Sequence, residues 1–230
     1  RGVNDFAQVF RGGQLAGFMD RRSHSYKVKI PPASASGKDA ILVLVEAMGR
    51  VNFGVEVHDR KGLKGPVKFT TATNSIELQE WHIQRQPLDE KMFAALNYSP
   101  TRTANGEKVP KIALPGFYRA TVNIENPGDT WLDMRPWGKG YAWVNGHNLG
   151  RYWNIGPQQT MYVPGCWLKK GANEIIILDL LGPEKPVIAA LDHPILDELH
   201  PEKDFARARR PEVKLHLEAA QPVHAAAFAD

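Results

Sequence analysis

The sequence has little of what several large protein classes require. It has a single cysteine, Cys166, among 230 residues, which excludes an internal disulfide and a zinc site built from several cysteines. No apolar run is long enough to span a membrane, and Asp179 interrupts the longest one. The phosphate-binding glycine loop and the HExxH and GxSxG motifs are also absent. We therefore expect no membrane association, no bound cofactor and no metal site.

Charge of one sign is also scarce. The 29 basic and 25 acidic residues give a net charge of +4, and they are well mixed along the chain. Such a balance is weak support for nucleic acid or an anionic membrane as a partner, so we expect neither. The sequence starts with Arg1 rather than Met and shows no signal peptide, so we expect a piece of a longer protein.

The sequence does have a concentrated aromatic region, centred on GKGYAWVNGHNLGRYW at residues 138–153. Asn145-Gly146 is the strongest short signal for a hairpin, because both central residues of a type I′ turn need positive φ. Five of the six tryptophans lie between Trp131 and Trp167. We therefore predict a two-residue hairpin at the aromatic centre of its domain.

The same pattern occurs earlier in the chain, at a constant offset of 133 residues. The apolar run ILVLVEAMG at 41–49 aligns with EIIILDLLG at 174–182 without a gap. The other matching pairs are Phe10 with Trp143, Gly13 with Gly146, Gly17 with Gly150 and Glu46 with Asp179. A period this long excludes a solenoid and predicts two copies of one domain.

Short strands separated by Gly and Pro turns predict an all-β fold, with a jelly-roll β-sandwich in each copy. The first copy contributes strands at 3–11, 14–19, 26–30, 41–45, 51–57, 67–71 and 76–84. The only convincing helix is at 88–96, where Leu88, Met92, Phe93 and Leu96 share one face. The domains are then 1–86, a helix and connector at 87–115, a second sandwich at 116–200, and a tail or linker at 201–230.

The first sandwich has fewer residues before its hairpin than the second. About 25 residues, from Gly116 to Gly140, precede the second hairpin, but the first begins within ten residues of Arg1. We therefore expect the first sandwich to be incomplete at its N-terminus. The strand from Val3 to Phe10 is then predicted to have an open edge, or an apolar face that is exposed or covered only by another chain.

Two carboxylates end apolar strands and are the first candidates for chemistry. Glu46 and Asp179 occupy equivalent places in two separate sandwiches, so we expect them to lie a domain's width apart. A retaining glycosidase needs its two carboxyl groups about 5–5.5 Å apart. The preferred interpretation is structural: each acid holds a basic side chain or a loop amide, with Arg50 and Arg151 as candidate partners. His24 and His147 have no second ligand at metal-site spacing.

The aromatic cluster is the remaining candidate site. Trp and Tyr stack on the apolar faces of sugar rings, and Asn, Arg and His hydrogen-bond hydroxyl groups at the ring edge. The residues that supply these groups are Trp137, Trp143, Asn145, His147, Arg151, Tyr152 and Trp153. Because alternate strand residues face a core, about half of the aromatics are expected to be packing residues. We favour core packing or domain docking over a free sugar-binding face.

Three stretches resemble the β-domains of glycoside hydrolase family 35. Residues 114–180, from LPGFYRATVNIENPGDTW to KKGANEIIILDL, resemble the C-terminal β-domain of that family. VNDFAQVFRGGQLAGFMDR at 3–21 and LVEAMGRVNFG at 44–54 are similar to the preceding β-domain. The resemblance implies two tandem galactose-binding-like sandwiches in a retaining β-galactosidase. Its catalytic glutamates would lie on a (β/α)₈ barrel, and no position of this chain matches them.

The resemblance implies a non-catalytic role. The parent protein would hydrolyse terminal β-D-galactosides, with this chain supporting the catalytic barrel and contacting galactoside glycans. It also favours a secreted or periplasmic location. Two alternatives stay open: an autonomous carbohydrate-binding module, which requires an exposed aromatic platform, and a scaffold whose aromatic surface docks only protein.

Overall fold

The computed structural model describes residues 2–33, 40–98 and 115–204, and the described residues are predominantly β. The predicted connector at 99–114 and the tail beyond Asp204 lie outside the described residues. The all-β fold class is confirmed. The only α-helix in the described part of the chain is close to the predicted one.

The first half contains three small antiparallel sheets. Strand β2 pairs with β3 and β4, β1 pairs with β5, and β6 pairs with β7. The elements are β1 (Gly2–Asn4), β2 (Phe6–Arg11), β3 (Gln14–Asp20), β4 (Ile41–Glu46), β5 (Gly62–Lys64), β6 (Lys68–Thr70), β7 (Ser75–Glu77) and α1 (Glu90–Ala95). Asp89 caps α1 by accepting a hydrogen bond from the Met92 amide.

Three strand predictions in this half are wrong. Residues 26–30 alternate but form no ladder; instead Tyr26 and Val28 lie over Gly2 and Gly17, where a Cβ atom would come within 2.9 Å of them. Residues 51–57 end in a short 3₁₀ helix at Val55–His58, entered through Gly54 with φ of 84°. The strand predicted at 76–84 is limited to β7.

The second half is a sandwich of two sheets. The elements are β8 (Gly116–Ile124), β9 (Thr130–Asp133), β10 (Lys139–Val144), β11 (His147–Trp153), β12 (Thr160–Val163), β13 (Gly171–Asp179) and β14 (Ala190–Leu191). A four-stranded sheet in the order β11-β10-β13-β8 faces a three-stranded sheet in the order β12-β9-β14. The core between them contains Leu132, Met134, Trp137, Ala142, Val144, Met161, Val163, Ile175 and Ile177.

Strand β13 is buried on both faces, which explains its continuous apolar run. Ile175 and Ile177 point into the sandwich core, and Ile176 and Leu178 point to the other side. On that side the sheet packs against Phe6 of the first half and Phe93 of α1. The two halves, which the sequence predicted as two sandwiches, therefore share a hydrophobic core.

The repeat is present in the structure, but the pairing with its third strand is shifted by one residue between the two copies. At an offset of 133, β2 and β3 coincide with β10 and β11, including a bulge at Val9/Phe10 and again at Ala142/Trp143. In the next strand pair, however, Ala7 lies opposite Val45, whereas its equivalent Gly140 lies opposite Asp179. Asp179 thus takes the place of Val45, and the predicted match of Glu46 with Asp179 is wrong.

This one-residue slip places the two acids on different faces of their sheets. Glu46 is opposite Phe6 and points into the shared core. Asp179 is on the same face of β13 as Ile177, next to the loop that follows the strand. The slip has a physical consequence, since each acid meets a different set of hydrogen-bond donors.

The open edge predicted for Val3–Phe10 is absent from β2, but among the described residues β1 pairs with β5 alone. Strand β2 is the central strand of its sheet, and Phe6, Ala7, Val9 and Phe10 are buried. Part of this burial comes from the second half of the same chain, since Phe6 belongs to the shared core.

Beyond β13 the chain crosses the surface of the second sandwich. The Ala190–Leu191 strand adds to β9, and backbone amides of Gln159 and Glu198 donate to Ile195 and Pro157. None of the helices in the described residues is both long and apolar enough to cross a membrane.

Candidate functional site

The hairpin between β10 and β11 has the predicted two-residue turn. Asn145 has φ of 47° and Gly146 has φ of 84°. The Asn145 amide nitrogen donates to the Trp167 carbonyl and to Asn173 Oδ1, both at 2.8 Å, and its oxygen accepts from the Glu174 amide at 2.9 Å. These bonds tie the turn to β13, so the Asn145 side chain has a structural role.

The structure does not bring the seven predicted site residues together. Trp137 lies in the core of the second sandwich, and Trp143 lies on the opposite side of the sheet, in the core shared by the two halves. The Trp137 indole donates to the Val187 carbonyl at 3.0 Å, and Trp143 packs edge-on against Phe93 at 4.9 Å between ring centroids. Neither tryptophan is accessible to a sugar.

Two of the seven residues are exposed but already have partners. His147 stacks on Trp167, with ring centroids 4.6 Å apart and an interplanar angle of 11°. Arg151 donates to the carbonyl of Met48 at 2.7 Å and so connects the second half to the first. These contacts favour the docking interpretation for this part of the cluster.

Tyr152 and Trp153 lie beside a cleft of about 220 Å³, which is also lined by Arg151 and residues 156–161. The Tyr152 hydroxyl is buried and donates to Asp179 at 2.9 Å. Burial raises the pKa of Tyr152 above its ordinary value, and the nearby Asp179 charge adds to the effect. The ring of Trp153 is contacted by two cations, with Arg22 Cζ 4.2 Å and Lys139 Nζ 4.6 Å from its centroid.

The central charged group at the junction, Lys139, was missed by the sequence analysis. It is fully buried, its ammonium group is hydrogen-bonded to Glu46, and it also lies 4.9 Å from the centroid of Phe6. Burial lowers the pKa of Lys139 to about 8, although Glu46 favours the charged form. One signal could have revealed it: the repeat places Lys139 at the position of Phe6, so a charge replaces a core residue.

The two candidate carboxylates have structural partners. Glu46 accepts hydrogen bonds from Lys139 and, at 3.0 Å, from the Tyr141 hydroxyl. Asp179 accepts four, which come from the Tyr152 hydroxyl and from the backbone amides of Gly138, Leu181 and Gly182.

The prediction that each acid holds a basic side chain or a loop amide is confirmed. The proposed partners were wrong, because Arg50 and Arg151 donate to backbone carbonyls instead. The expectation that the two acids lie a domain's width apart is also wrong, because their hydrogen-bond donors are neighbours in sequence. Lys139, which binds Glu46, is next in sequence to Gly138, which donates to Asp179.

Several large apolar side chains of the first half are exposed. Val55, Phe53 and Ile83 are 98%, 86% and 84% exposed, and Leu42, Ile76 and Trp81 are also open to solvent. The sequence predicted all six of these residues to lie in strands. Among the described residues, no three His, Cys, Asp or Glu side chains are grouped closely enough to hold a metal ion.

Comparison with known proteins gives matches to both halves. Residues 1–89 match the family model for the first all-beta domain of beta-galactosidase, and residues 115–173 match the model for its galactose-binding domain. Human beta-galactosidase-1-like protein 2 is 36% identical over 79% of this chain and 27% of its own length. Beta-galactosidases of Xanthomonas manihotis and Bos taurus are 38% and 33% identical, over 70% and 84% of this chain.

The chain spans about a quarter to a third of the length of these relatives. Both family models describe β-domains, in agreement with the sheets that the structure shows. The chain therefore belongs to the β-galactosidase family, of which it carries the first all-β domain and the galactose-binding domain.

Proposed function

We propose that this chain is the non-catalytic β-portion of a protein that hydrolyses terminal β-D-galactosides. In this role it supports a catalytic (β/α)₈ domain of the same protein. The observation that carries the proposal is the set of exposed apolar side chains between residues 42 and 83, in the half that matches the first all-beta domain. We infer that these side chains belong to a docking face that another domain covers.

The composition of this surface favours a protein partner. Phe53, Val55 and Ile83 are large apolar side chains without hydrogen-bonding groups. Apolar side chains enriched in aromatic residues are typical of the centre of a protein–protein interface. A catalytic domain that covered them would remove this surface from water, which would stabilise both partners.

The carboxylates also support a non-catalytic role. The oxygen atoms of both Glu46 and Asp179 accept hydrogen bonds from buried or backbone donors. A catalytic acid or nucleophile needs access to the substrate, and these two side chains are buried inside the shared core or against a loop.

A chromogenic β-galactoside tests the non-catalytic role directly. The purified chain is expected to release no product above the uncatalysed rate. Turnover that is lost in Glu46→Gln or in Asp179→Asn would contradict the proposal, because it would identify a catalytic carboxylate in this chain.

Docking is tested by co-producing the chain with a tagged catalytic domain from the same protein. Val55→Asp and Ile83→Asp are expected to reduce the amount of chain that co-purifies by at least about tenfold, which is about 1.4 kcal/mol. Leu196→Asp is the matched control, because Leu196 is an exposed leucine of the second half. Equal co-purification of all three variants and the unaltered chain would contradict this docking face.

The location outside the cytoplasm is part of the same proposal and is supported by the family resemblance alone. The alternative of a carbohydrate-binding module has one specific observation in its favour, an aromatic pair on the second sandwich in which Tyr162 is exposed and Trp131 is half-buried.

A further inference from the structure

Three side chains form a row on the outer face of the β12-β9-β14 sheet. Tyr162 lies directly opposite Trp131 in the ladder between β12 and β9, and Trp131 lies opposite Leu191 in the ladder between β9 and β14. Directly opposed residues share a face of the sheet. We call Tyr162, Trp131 and Leu191 the outer row. The rings of Trp131 and Tyr162 are 5.5 Å apart between centroids, with an interplanar angle of 50°.

The outer row does not belong to the core of the sandwich. The core residues of the same strands are Leu132, Met161 and Val163, which alternate with the outer row and are buried. Tyr162 is 47% exposed. A directly opposed aromatic pair stabilises a sheet by about 0.2–1 kcal/mol, and this pair also leaves ring surface open to solvent at Tyr162.

Hydrogen-bonding groups lie at both ends of Trp131 along β9. Asp129 accepts from the Gly165 amide at 2.7 Å and from the Tyr162 hydroxyl, and its carboxylate is at the surface. The hydrogen bond from Gly165 holds the pKa of Asp129 below its ordinary value, so the group is an anion at neutral pH. A carboxylate has about four acceptor positions, so two hydrogen bonds leave others available.

The other end has a guanidinium group. Asp133 lies two residues from Trp131, about 7 Å along the strand and on the same face. Its carboxylate accepts from Arg135 Nε at 2.9 Å and from Arg135 Nη2 at 2.7 Å. The Arg135 side chain is held in place by this pair and is still 44% exposed. A guanidinium has five N–H donors, so this pair does not use all of them.

We propose that the outer row binds the pyranose ring of a glycan. The C–H face of a pyranose is apolar and flat, and it would lie on the rings of Trp131 and Tyr162. The hydroxyl groups at the edge of the ring would donate to Asp129 and accept from Arg135. Both kinds of contact are needed to bind a sugar in water, and the structure places both within one face of one sheet.

The chemistry of this surface differs from that of the proposed docking face in the first half. There, Phe53, Val55 and Ile83 expose apolar groups alone, whereas the outer row is flanked by a carboxylate and a guanidinium. The cleft beside Trp153 is a weaker candidate for sugar stacking, because Arg22 and Lys139 already contact that ring.

The choice of a galactoside as probe rests on the proposed function. The binding surface itself rests on the positions of the outer row, Asp129 and Arg135. The experiment is isothermal titration of the full chain with methyl β-D-galactopyranoside and, separately, with methyl β-D-glucopyranoside. Saturation-transfer NMR on the same samples shows which face of the sugar is in contact. Saturable binding of at least one glycoside is expected, with sugar C–H protons receiving the transfer.

The variants are Trp131→Ala and Tyr162→Ala, each expected to weaken binding at least about tenfold. Trp81→Ala is the matched control, since Trp81 is an exposed tryptophan of the first half. Arg135→Ala is a second test, because it removes an exposed group and leaves the aromatic pair intact; it too is expected to weaken binding. Circular dichroism identifies any variant that fails to fold.

Two results would overturn the inference. They are the absence of saturable binding of either glycoside, and binding that persists in a folded Trp131→Ala/Tyr162→Ala double variant. Glycoside binding that depends on the outer row would support it whether or not the chain co-purifies with a catalytic domain. Failure of this inference and failure of the proposed function therefore give different results.

Discussion

At the scale of single residues, Lys139 places an ammonium group at the junction of the two halves. Its partner is Glu46 of the first half, and the rings of Phe6 and Trp153 lie near the same nitrogen. Other charged groups that act on it are Arg151, which lowers its pKa, and Asp20, which raises it. Removing one member of such a buried pair is expected to cost several kcal/mol, about 3–5, because the other charge is left uncompensated.

The lowered pKa of Lys139 predicts an unusual dependence of stability on pH. The folded pKa of about 8 is below the ordinary value of 10.5 for lysine, so between these values the unfolded chain binds more protons than the folded chain. Stability contributed by this group therefore rises with pH across the window. From pH 7.5 to 9.5 the expected gain in unfolding free energy is about 2 kcal/mol. Urea unfolding at several pH values measures it.

The control is a double variant in which the pair is replaced by apolar residues, Glu46→Leu/Lys139→Met. Such a replacement is often neutral or stabilising, and it removes the titrating group. The double variant is expected to lose the gain between pH 7.5 and 9.5. A gain of the same size in both proteins would show that Lys139 does not cause it.

At the scale of elements, the two copies contact each other through equivalent residues. The Gln8 amide of β2 donates to the Leu180 carbonyl at 2.7 Å, and the Tyr141 hydroxyl of β10 donates to the Glu46 carboxylate. Gln8 and Tyr141 are equivalent in the repeat, and the register slip makes Leu180 and Glu46 equivalent as well. The junction thus resembles the self-complementary interface of a two-fold dimer, built within one chain.

The hairpin turn between β10 and β11 gives a second prediction. Gly146→Val is expected to destabilise the chain by about 1–2 kcal/mol or more, because a β-branched residue is strongly disfavoured at a φ of 84°. Thermal unfolding measures the change. Gly128→Val is the matched control, since Gly128 has no positive φ and no atom within 4 Å of an added Cβ. Equal losses in both variants would argue against turn strain.

The sequence was sufficient to predict elements defined by local chemistry. Asn145-Gly146 identifies its turn by conformational preference, and the apolar runs at 41–45 and 174–181 identify strands by composition. Residues 26–30 were misread because their alternation arises from packing over glycines and not from pairing. Period-two patterns report a half-buried extended chain and do not identify its hydrogen-bond partners.

The site was harder to predict than the fold. Whether Trp143 faces solvent or a second sheet depends on the packing of the two halves, which no local pattern reveals. Tyr162 and Trp131 lie in the predicted second sandwich, but their position on its outer face depends on how its two sheets pack against each other. Lys139 was missed because its burial is made possible by Glu46, which is 93 residues away in sequence.

At the scale of the whole molecule, the shared core joins the halves into one unit. Phe6 of the first half packs with Trp143, Ile176 and Leu178 of the second, and Phe93 of α1 fills the same core. In the part of the chain that the structure describes, this contact covers the second apolar face of β13. Neither half is therefore expected to keep its native stability without the other.

This arrangement predicts cooperative unfolding. Phe6→Ala is expected to cost about 3–5 kcal/mol and to lower hydrogen-exchange protection in β10 and β13 as well as in β2. Exchange followed by mass spectrometry resolves these strands. Ile76→Ala is the control, because Ile76 is an exposed apolar residue of β7 and should have little effect. Protection that is lost in β2 alone would contradict the shared core.

The central claim is that this chain works as the non-catalytic β-portion of a larger galactosidase. The most direct measurement is the intact mass and β-galactosidase activity of the native protein, isolated with an antibody raised against this chain. The account predicts a mass far above 25.7 kDa, together with turnover of a chromogenic β-galactoside that the isolated chain lacks. A native protein of about the same mass as the chain, without activity toward galactosides, would contradict it.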